Sequence, residues 1–378
     1  MASIHKQPNG RWKVRYRTPN GKDRAQRFDR KADAERFLHS IEADKARGRF
    51  VDPRAGRMTF AEYAKGWAET KANVRERTRV NVEGRLRNHI LPAFGARRIG
   101  GITPKDARVW LAGLTAKGLA ASTVKATYLT FGQIMRTAEI DGLIPRSPCI
   151  GIELPPQTSS EEVHFLSPEQ VATLADGHSH HYRAAIYMDA YTGLRAGELW
   201  ALKLSRVNLL KRTVDVVESL SEVRGRLATG PTKTCARRTV TLPAFLAEMI
   251  GEHIGCYPSS EGYVFTAAEG GPVRHHNFMV RHFYPAVPRA ELPEGLRFHD
   301  LRHSCAAILI GQGWGAKQIQ ARLGHSTIRT TLDRYGHLFP DHDATLLDGL
   351  DATFREARVS NACPSRVQEL PKREAGAQ

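Results

Sequence analysis

Two arginines, two histidines and a tyrosine of this chain stand in motifs that could break a phosphodiester. Arg195 lies in Thr-Gly-Leu-Arg-Ala-Gly-Glu-Leu over 192–199. His299 and Arg302 belong to His-Asp-Leu-Arg-His over 299–303. His325 ends Leu-Gly-His, and Tyr335 ends Asp-Arg-Tyr. A guanidinium binds phosphate through two parallel donors and keeps its charge, so Arg195 and Arg302 can hold the nonbridging oxygens. Imidazole titrates near neutrality and can take or give a proton. A phenol, with a free pKa of about 10, is a weak nucleophile. Nearby guanidiniums are expected to favour its phenolate and a histidine to accept its proton. A covalent phosphotyrosyl link conserves the energy of the broken bond, so neither ATP nor a metal is required.

These groups need elements that bring them together. Gly193 breaks one segment and Glu198 opens the next helical turn, three residues after Arg195, close enough to reach back and orient it. His299 and Arg302 are also three apart and share one face of a helix; His303 lies near that face and is expected to be structural. Ser167-Pro168-Glu169-Gln170 reads as a capping box that opens a helix, after a Pro/Ser-rich linker over 151–164. A strand pair is expected near 213–219 and 238–242. Upstream, 59–150 has helical patterning, with Thr103-Pro104 as a cap followed by proline at the first helical position. Residues 11–17 alternate strictly: Trp12, Val14 and Tyr16 on one face, Arg11, Lys13, Arg15 and Arg17 on the other. That is a half-buried strand with a cationic outer face. A second strand near 24–28 and a helix over 31–47 would complete a small sheet backed by one helix.

The bulk properties agree with a nucleic-acid partner. The 378 residues suit two or three domains. Apolar content of 41% and charged content of 25% fit a globular protein. The net charge is +17. Residues 1–31 hold ten Lys/Arg against two Asp/Glu, which makes them a dedicated basic module. Basic positions in 59–150 include Arg75, Arg77, Arg79, Arg85, Arg87 and Lys125, and as a set some should touch phosphate. Five scattered cysteines without Cys-x-x-Cys indicate a reducing cytoplasm. No apolar run of about 18 residues is present, so a membrane partner is not expected. The clusters His178/His180/His181 and His275/His276 lack partners at zinc spacing. No Gly-x-x-x-x-Gly-Lys-Ser/Thr and no paired-carboxylate set is found.

The order and wording of the motifs resemble the tyrosine recombinases, and within them the phage-type integrases, over most of the chain. The resemblance implies a mostly α fold with small β-sheets. It divides the chain into an arm-type DNA-binding domain of sheet plus helix (1–56), a helical core-binding domain (57–152) and a mixed α/β catalytic domain (165–350). The polar segment 351–378 is expected to be an unstructured tail. The implied catalytic set is Arg195, Lys233, His299, Arg302, His325 and the nucleophile Tyr335, with Glu198 in support. Lys233, on a β-hairpin between the arginine motifs, would protonate the leaving 5′-oxygen. Cys235, Ala236 and Arg237 follow it where the family often carries small or polar residues, and Lys211, which precedes the first strand, is a poor rival. His299 would serve as base and later as acid, without cofactor or metal. Arg11, Lys13, Arg15, Arg17, Arg79 and Lys125 are the candidate DNA contacts. The implied reaction is site-specific recombination through a 3′-phosphotyrosyl intermediate, integrating and excising an element such as a prophage. A homotetramer would act on two duplexes through a Holliday junction, in the nucleoid of a bacterial cytoplasm, with a host DNA-bending protein and an excision factor. Two rival readings are a type IB topoisomerase and a DNA-binding regulator that has lost catalysis.

Overall fold

The computed structural model describes residues 3–18, 21, 23–46, 55–71, 74–156, 163–232, 237–339 and 343–361. The chain forms two compact units, Met1–Glu162 and Val163–Gln378. It is mostly helical with small antiparallel sheets. Among the described residues no helix is long and apolar enough to cross a membrane.

The first unit opens with strands β1 (Ser3–Lys6), β2 (Trp12–Arg17) and β3 (Asp23–Phe28), antiparallel with β2 in the middle, followed by helix α1 (Lys31–Ala46). Val14 and Tyr16 are buried and pack with Ala34, Ile41, Phe28 and Phe37. The alternation of β2 is thus used as the period of a strand demands: one face meets α1 and the other meets solvent. Strand β1 has no counterpart in the sequence reading. Its four residues, Ser-Ile-His-Lys, are too few and too polar to show a period, and pairing with β2 alone defines it.

A second, helical core follows within the same unit, built by α2 (Phe60–Glu69), α3 (Glu76–Arg85), α4 (Leu91–Phe94), α5 (Pro104–Ala116) and α6 (Ala121–Ile140). Phe60, Phe94 and Phe131 are fully buried there, and the rings of Phe94 and Phe131 stack at 4.6 Å. Thr103 caps α5: its hydroxyl accepts from the Asp106 amide, and the Asp106 carboxylate accepts from the Thr103 amide.

The second unit begins with α7 (Pro168–Asp176), opened by the Ser167–Gln170 capping box. Helices α8 (His180–Thr192) and α9 (Ala196–Trp200) follow. Strands β4 (Val207–Asn208), β5 (Thr213–Val216) and β8 (Arg238–Thr241) form one sheet in the order β4-β5-β8; β6 (Glu218–Val223) and β7 (Arg226–Pro231) form a separate hairpin. The expected 213–219/238–242 pair is therefore shorter, because β6 leaves the sheet to pair with β7. Then come α10 (Ala244–Cys256), α11 (His275–Phe278), α12 (Tyr284–Arg289), α13 (Phe298–Gly311), α14 (Ala316–Leu323), α15 (Ile328–Tyr335) and α16 (Asp343–Asn361). Its main core joins Trp200, Phe265, Phe278, Phe283 and Phe298. A smaller one gathers Ala306, Ile310, Ile319, Leu323 and Tyr335.

Helix α16 corrects the expected tail, since 351–361 are helical. Leu347, Leu350 and Phe354 recur at helical spacing and are each more than 60% exposed. Residues 362–378 lie outside the described residues.

Candidate active site

Three helix boundaries of the second unit converge on one pocket. Helix α8 ends at Gly193 in a left-handed turn (φ 65°). A Cβ at Gly193 would stand 2.3 Å from the Leu323 side chain and 3.3 Å from Cys305 Sγ. Only glycine meets both the dihedral and the space. The chain then leaves in extended form, and Arg195 becomes the residue before α9. The Arg195 amide donates to Glu198 Oε2 (3.0 Å) and its guanidinium donates to Glu198 Oε1 (2.9 Å). The guanidinium also reaches Gly324 O, 3.3 Å away.

Arg302, on α13, is 2% exposed, and the carbonyls of Gly193 and Leu323 (2.6 Å to the latter) accept from it. Burial and the adjacent Arg195 charge press its pKa down to about 10, so it remains cationic at neutral pH. Helix α14 ends like α8, with Gly324 in a left-handed turn (φ 68°). His325 follows. Its Nδ1 lies 2.9 Å from the Thr331 hydroxyl, and its ring stacks on that of Tyr335 at 6.3 Å and 14°. Burial, then the Arg302 and Arg195 charges, lower the His325 imidazole to about 3.

Tyr335 closes α15 and is 1% exposed. Burial raises its phenol to about 12; Arg302 and Arg334 pull the other way without prevailing. The expected phenolate is therefore not the state of the free protein. Dehydration of the anion outweighs the guanidiniums, because the ring sits in an apolar cluster. His299, the expected base, is exposed. Crowding by the protein, then His303 and Arg302, lower its imidazole. Among the described residues, the imidazole hydrogen-bonded to Tyr335 belongs to His303, whose Nδ1 lies 2.8 Å from the phenol oxygen. His303 is 4% exposed, and its ring meets His299 edge-on at 4.9 Å.

Sequence reasoning also passed over Arg238. From the start of β8 its guanidinium donates to Glu198 Oε2 (2.7 Å) and to Arg322 O (2.9 Å). Glu198 is 2% exposed and lies between two arginines. Burial raises its carboxyl, but Arg238 and Arg195 together outweigh that and hold its pKa below the ordinary value. Arg238 and Glu198 are forty residues apart, a contact that no local pattern announces. Lys233 lies outside the described residues, between β7 and β8.

The structure thus brings Arg195, Glu198, His299, Arg302, His325 and Tyr335 into one pocket. Arg11, Lys13, Arg15 and Arg17 are on or beside β2, Arg79 is on α3 and Lys125 on α6, all in the first unit. Arg11 pairs with Asp29 at 2.8 Å, and Arg79 lies 3.9 Å and 3.7 Å from Glu76 and Glu83. Lys13 stands in register between His5 and Arg27. Among the described residues no group of three or more His, Cys, Asp or Glu is arranged to hold a metal. His178 and His181 each direct a ring nitrogen to a main-chain carbonyl.

Two arginines pinned by helix-end carbonyls, neighbouring imidazoles and a buried tyrosine are the kinds of group that phosphoryl transfer uses. Three family descriptions match the chain: Phage integrase, N-terminal domain, over 2–47; Phage integrase, N-terminal SAM-like domain, over 59–115; and Phage integrase family over 164–342. The prophage phiRv2 integrase of Mycobacterium tuberculosis H37Rv is 31% identical, covering 89% of this chain and 91% of its own. The integrase of Mycobacterium phage L5 is 30% identical, covering 87% and 92%. The fold is similar to that of the Tn1549 transposon integrase in complex with a circular intermediate DNA (TM-score 0.69, 22% identity, 78% of this chain and 99% of that one). It is also similar to a lambda integrase tetramer bound to a Holliday junction (TM-score 0.58, 18% identity, 89% and 95%). The chain belongs to the phage integrase family. It is accordingly a tyrosine recombinase, an enzyme of site-specific DNA integration.

Proposed function

We propose that Tyr335 attacks the scissile phosphate, forms a 3′-phosphotyrosyl link and frees a 5′-hydroxyl. The 5′-hydroxyl of the partner duplex then attacks the link and joins the new strands. Arg195 and Arg302 hold the nonbridging oxygens and stabilise the charge that develops on them. His325 adds a hydrogen bond to phosphate. His299, open to the approaching DNA, and Lys233 handle protons on the phosphate and leaving-oxygen side. The observation that carries this reading is the convergence of Arg195, Arg302, His325 and Tyr335 through the Gly193 and Gly324 turns.

Residues 1–56 bind arm-type DNA through the outer face of β2, residues 57–152 bind core DNA, and residues 165–350 carry out the chemistry. The cations Lys13 and Arg27, directly opposite each other on β2 and β3, support the first assignment. Like charges directly opposite across strands cost stability, and an anionic ligand relieves that cost. The protein works as a homotetramer on double-stranded DNA in a bacterial cytoplasm, with a host bending protein and an excision factor. The exposed apolar residues of α16 are consistent with self-association.

The test compares wild type with Tyr335→Phe. The DNA is a duplex selected from a random library by binding to the full chain, then nicked to trap the intermediate. Wild type should leave a covalent adduct on a denaturing gel, and the variant should bind without leaving one. An adduct from Tyr335→Phe would remove Tyr335 as nucleophile. Binding without an adduct from wild type would favour a regulator, and relaxation of supercoils without site preference would favour a topoisomerase.

A further inference from the structure

We propose that His303, and not His299, takes the proton from Tyr335 when the phenol attacks phosphorus. The inference rests on the reading of Tyr335 as nucleophile. Its geometric basis is direct: His303 Nδ1 is 2.8 Å from the phenol oxygen, inside the apolar cluster that buries Tyr335. His299, one helical turn earlier, meets His303 only edge to face and is exposed. The two imidazoles of His-Asp-Leu-Arg-His are thus divided. The buried one serves the nucleophile, and the exposed one faces where a phosphate arrives.

In the proposed step the phenol O–H donates and Nδ1 accepts, the tautomer in which neutral His303 carries its ring proton on Nε2. In the forward step the Tyr335 O–H bond breaks and its proton passes to Nδ1. The phenolic oxygen bonds phosphorus and the bond from phosphorus to the 5′-oxygen breaks; that oxygen takes a proton from the Lys233 ammonium. In the joining step the incoming 5′-hydroxyl gives its proton to Lys233 and attacks phosphorus, and His303 returns its proton to the departing phenol. Atoms and charges balance over the two steps.

The arrangement also keeps the nucleophile idle without DNA. Burial first, opposed by Asp300 and then reinforced by the Arg334, Arg297 and Arg302 charges, leaves the His303 imidazole near 4, while the phenol is near 12. That gap opposes transfer in the free protein. A phosphate held by Arg195 and Arg302 offsets the cations that depress His303, so the base gains strength as the substrate binds.

The experiment uses the full chain and the selected nicked duplex in two versions. One has the normal 5′-oxygen at the scissile phosphate; the other has sulfur there, which leaves without needing a proton. His303→Asn and His303→Phe should slow adduct formation by about 10²–10⁴-fold, the usual contribution of a general base, equally on both duplexes. The residual rate should rise tenfold per pH unit as hydroxide substitutes. DNA binding and thermal midpoint, measured in parallel, exclude unfolding as the cause. Lys233→Ala should instead recover on the sulfur duplex. If both His303 variants form adduct at the wild-type rate, or recover on sulfur, the proposal is overturned. Loss of pH response with the rate still low would also overturn it, since positioning alone would then explain the defect. An adduct from Tyr335→Phe would strike the underlying reading instead, and the two failures are distinguishable on the same gel.

Discussion

The cations of the first unit's sheet and those of the second unit's pocket are handled in opposite ways. On and beside β2, Arg11 and Arg17 are largely exposed and pair with acids near in sequence, Asp29 and Asp23. Such pairs contribute about 0–1 kcal/mol and are screened by salt. In the pocket, Arg302 is 2% exposed; its hydrogen-bond acceptors among the described residues are two carbonyls at helix ends, while the buried carboxylates Glu198 and Asp189 act on it only through their charge. Glu198 is shared between Arg195 and Arg238. The exposed set can slide along a phosphate backbone, whereas the buried set can stabilise charge at one point only. Mobility suits a surface that reads charge; fixation suits a site that must already be arranged when negative charge develops.

The sharpest way to break this contrast is to move a pocket cation without removing its charge. Arg302→Lys should lower the adduct rate by about 10²–10³-fold, the usual loss for one oxyanion donor, with DNA affinity within about twofold of wild type, because a single ammonium cannot span both carbonyls. An adduct rate within tenfold of wild type would show that net charge alone suffices. Next comes Arg238→Met, which leaves Glu198 with Arg195 as its remaining cationic partner. The adduct rate should fall about 10–100-fold and stability by about 1–3 kcal/mol, read from urea unfolding. Gly193→Ala tests the turn itself. Strain at φ 65° and the contact with Leu323 should cost about 1–3 kcal/mol, seen as a lower thermal midpoint.

The pH dependence of stability separates the two regions further. His303 and His325 titrate near 4 and 3 in the folded pocket, and His253, buried elsewhere in the same unit, near 4. Unfolded histidine titrates near 6.5. Above that value both states are neutral and the full stability is present. As pH falls from about 6.5 toward 4 the unfolded chain gains protons that the folded one does not, so stability is lost on acidification. Urea midpoints at pH 7.5 and 5.5 should differ in that direction for the second unit. The smallest effect belongs to the sheet. Lys13→Ala and Arg15→Ala should each weaken DNA binding a few-fold and lower the salt slope by about one, with stability unchanged within about 0.5 kcal/mol. An unchanged salt slope would show that this face does not meet phosphate.

Local chemistry was legible in the sequence. The strand over 11–17, the Thr103 and Ser167 caps and the break at Gly193 all follow from neighbours within four residues, where propensity and capping act. The residue pattern did not reveal the hairpin of β6 and β7, which only the resemblance implied, because Glu-Ser-Leu-Ser-Glu-Val and Arg-Leu-Ala-Thr-Gly-Pro carry little β pattern and pair through their backbones. His303 and Arg238 were missed for a related reason. Their partners, Tyr335 and Glu198, are 32 and 40 residues away. The protonation of Tyr335 was misjudged because charge can be counted along a chain but burial cannot. The unstructured tail was drawn too early because Leu347, Leu350 and Phe354 straddle its expected start.

The two left-handed glycines have a consequence for how such a site drifts and is copied. Gly193 O accepts from Arg302 and Gly324 O from Arg195, so each of these two arginines is registered by an atom that no substitution can alter in kind. A Cβ at Gly324 would stand 3.1–3.3 Å from the Arg238 side chain. Much of the pocket is therefore encoded where side chains are absent. A designer grafting Arg195, Arg302 and Tyr335 onto another scaffold would transplant the visible half of the machine, and without two helices ending on glycine the guanidiniums would have no fixed rest.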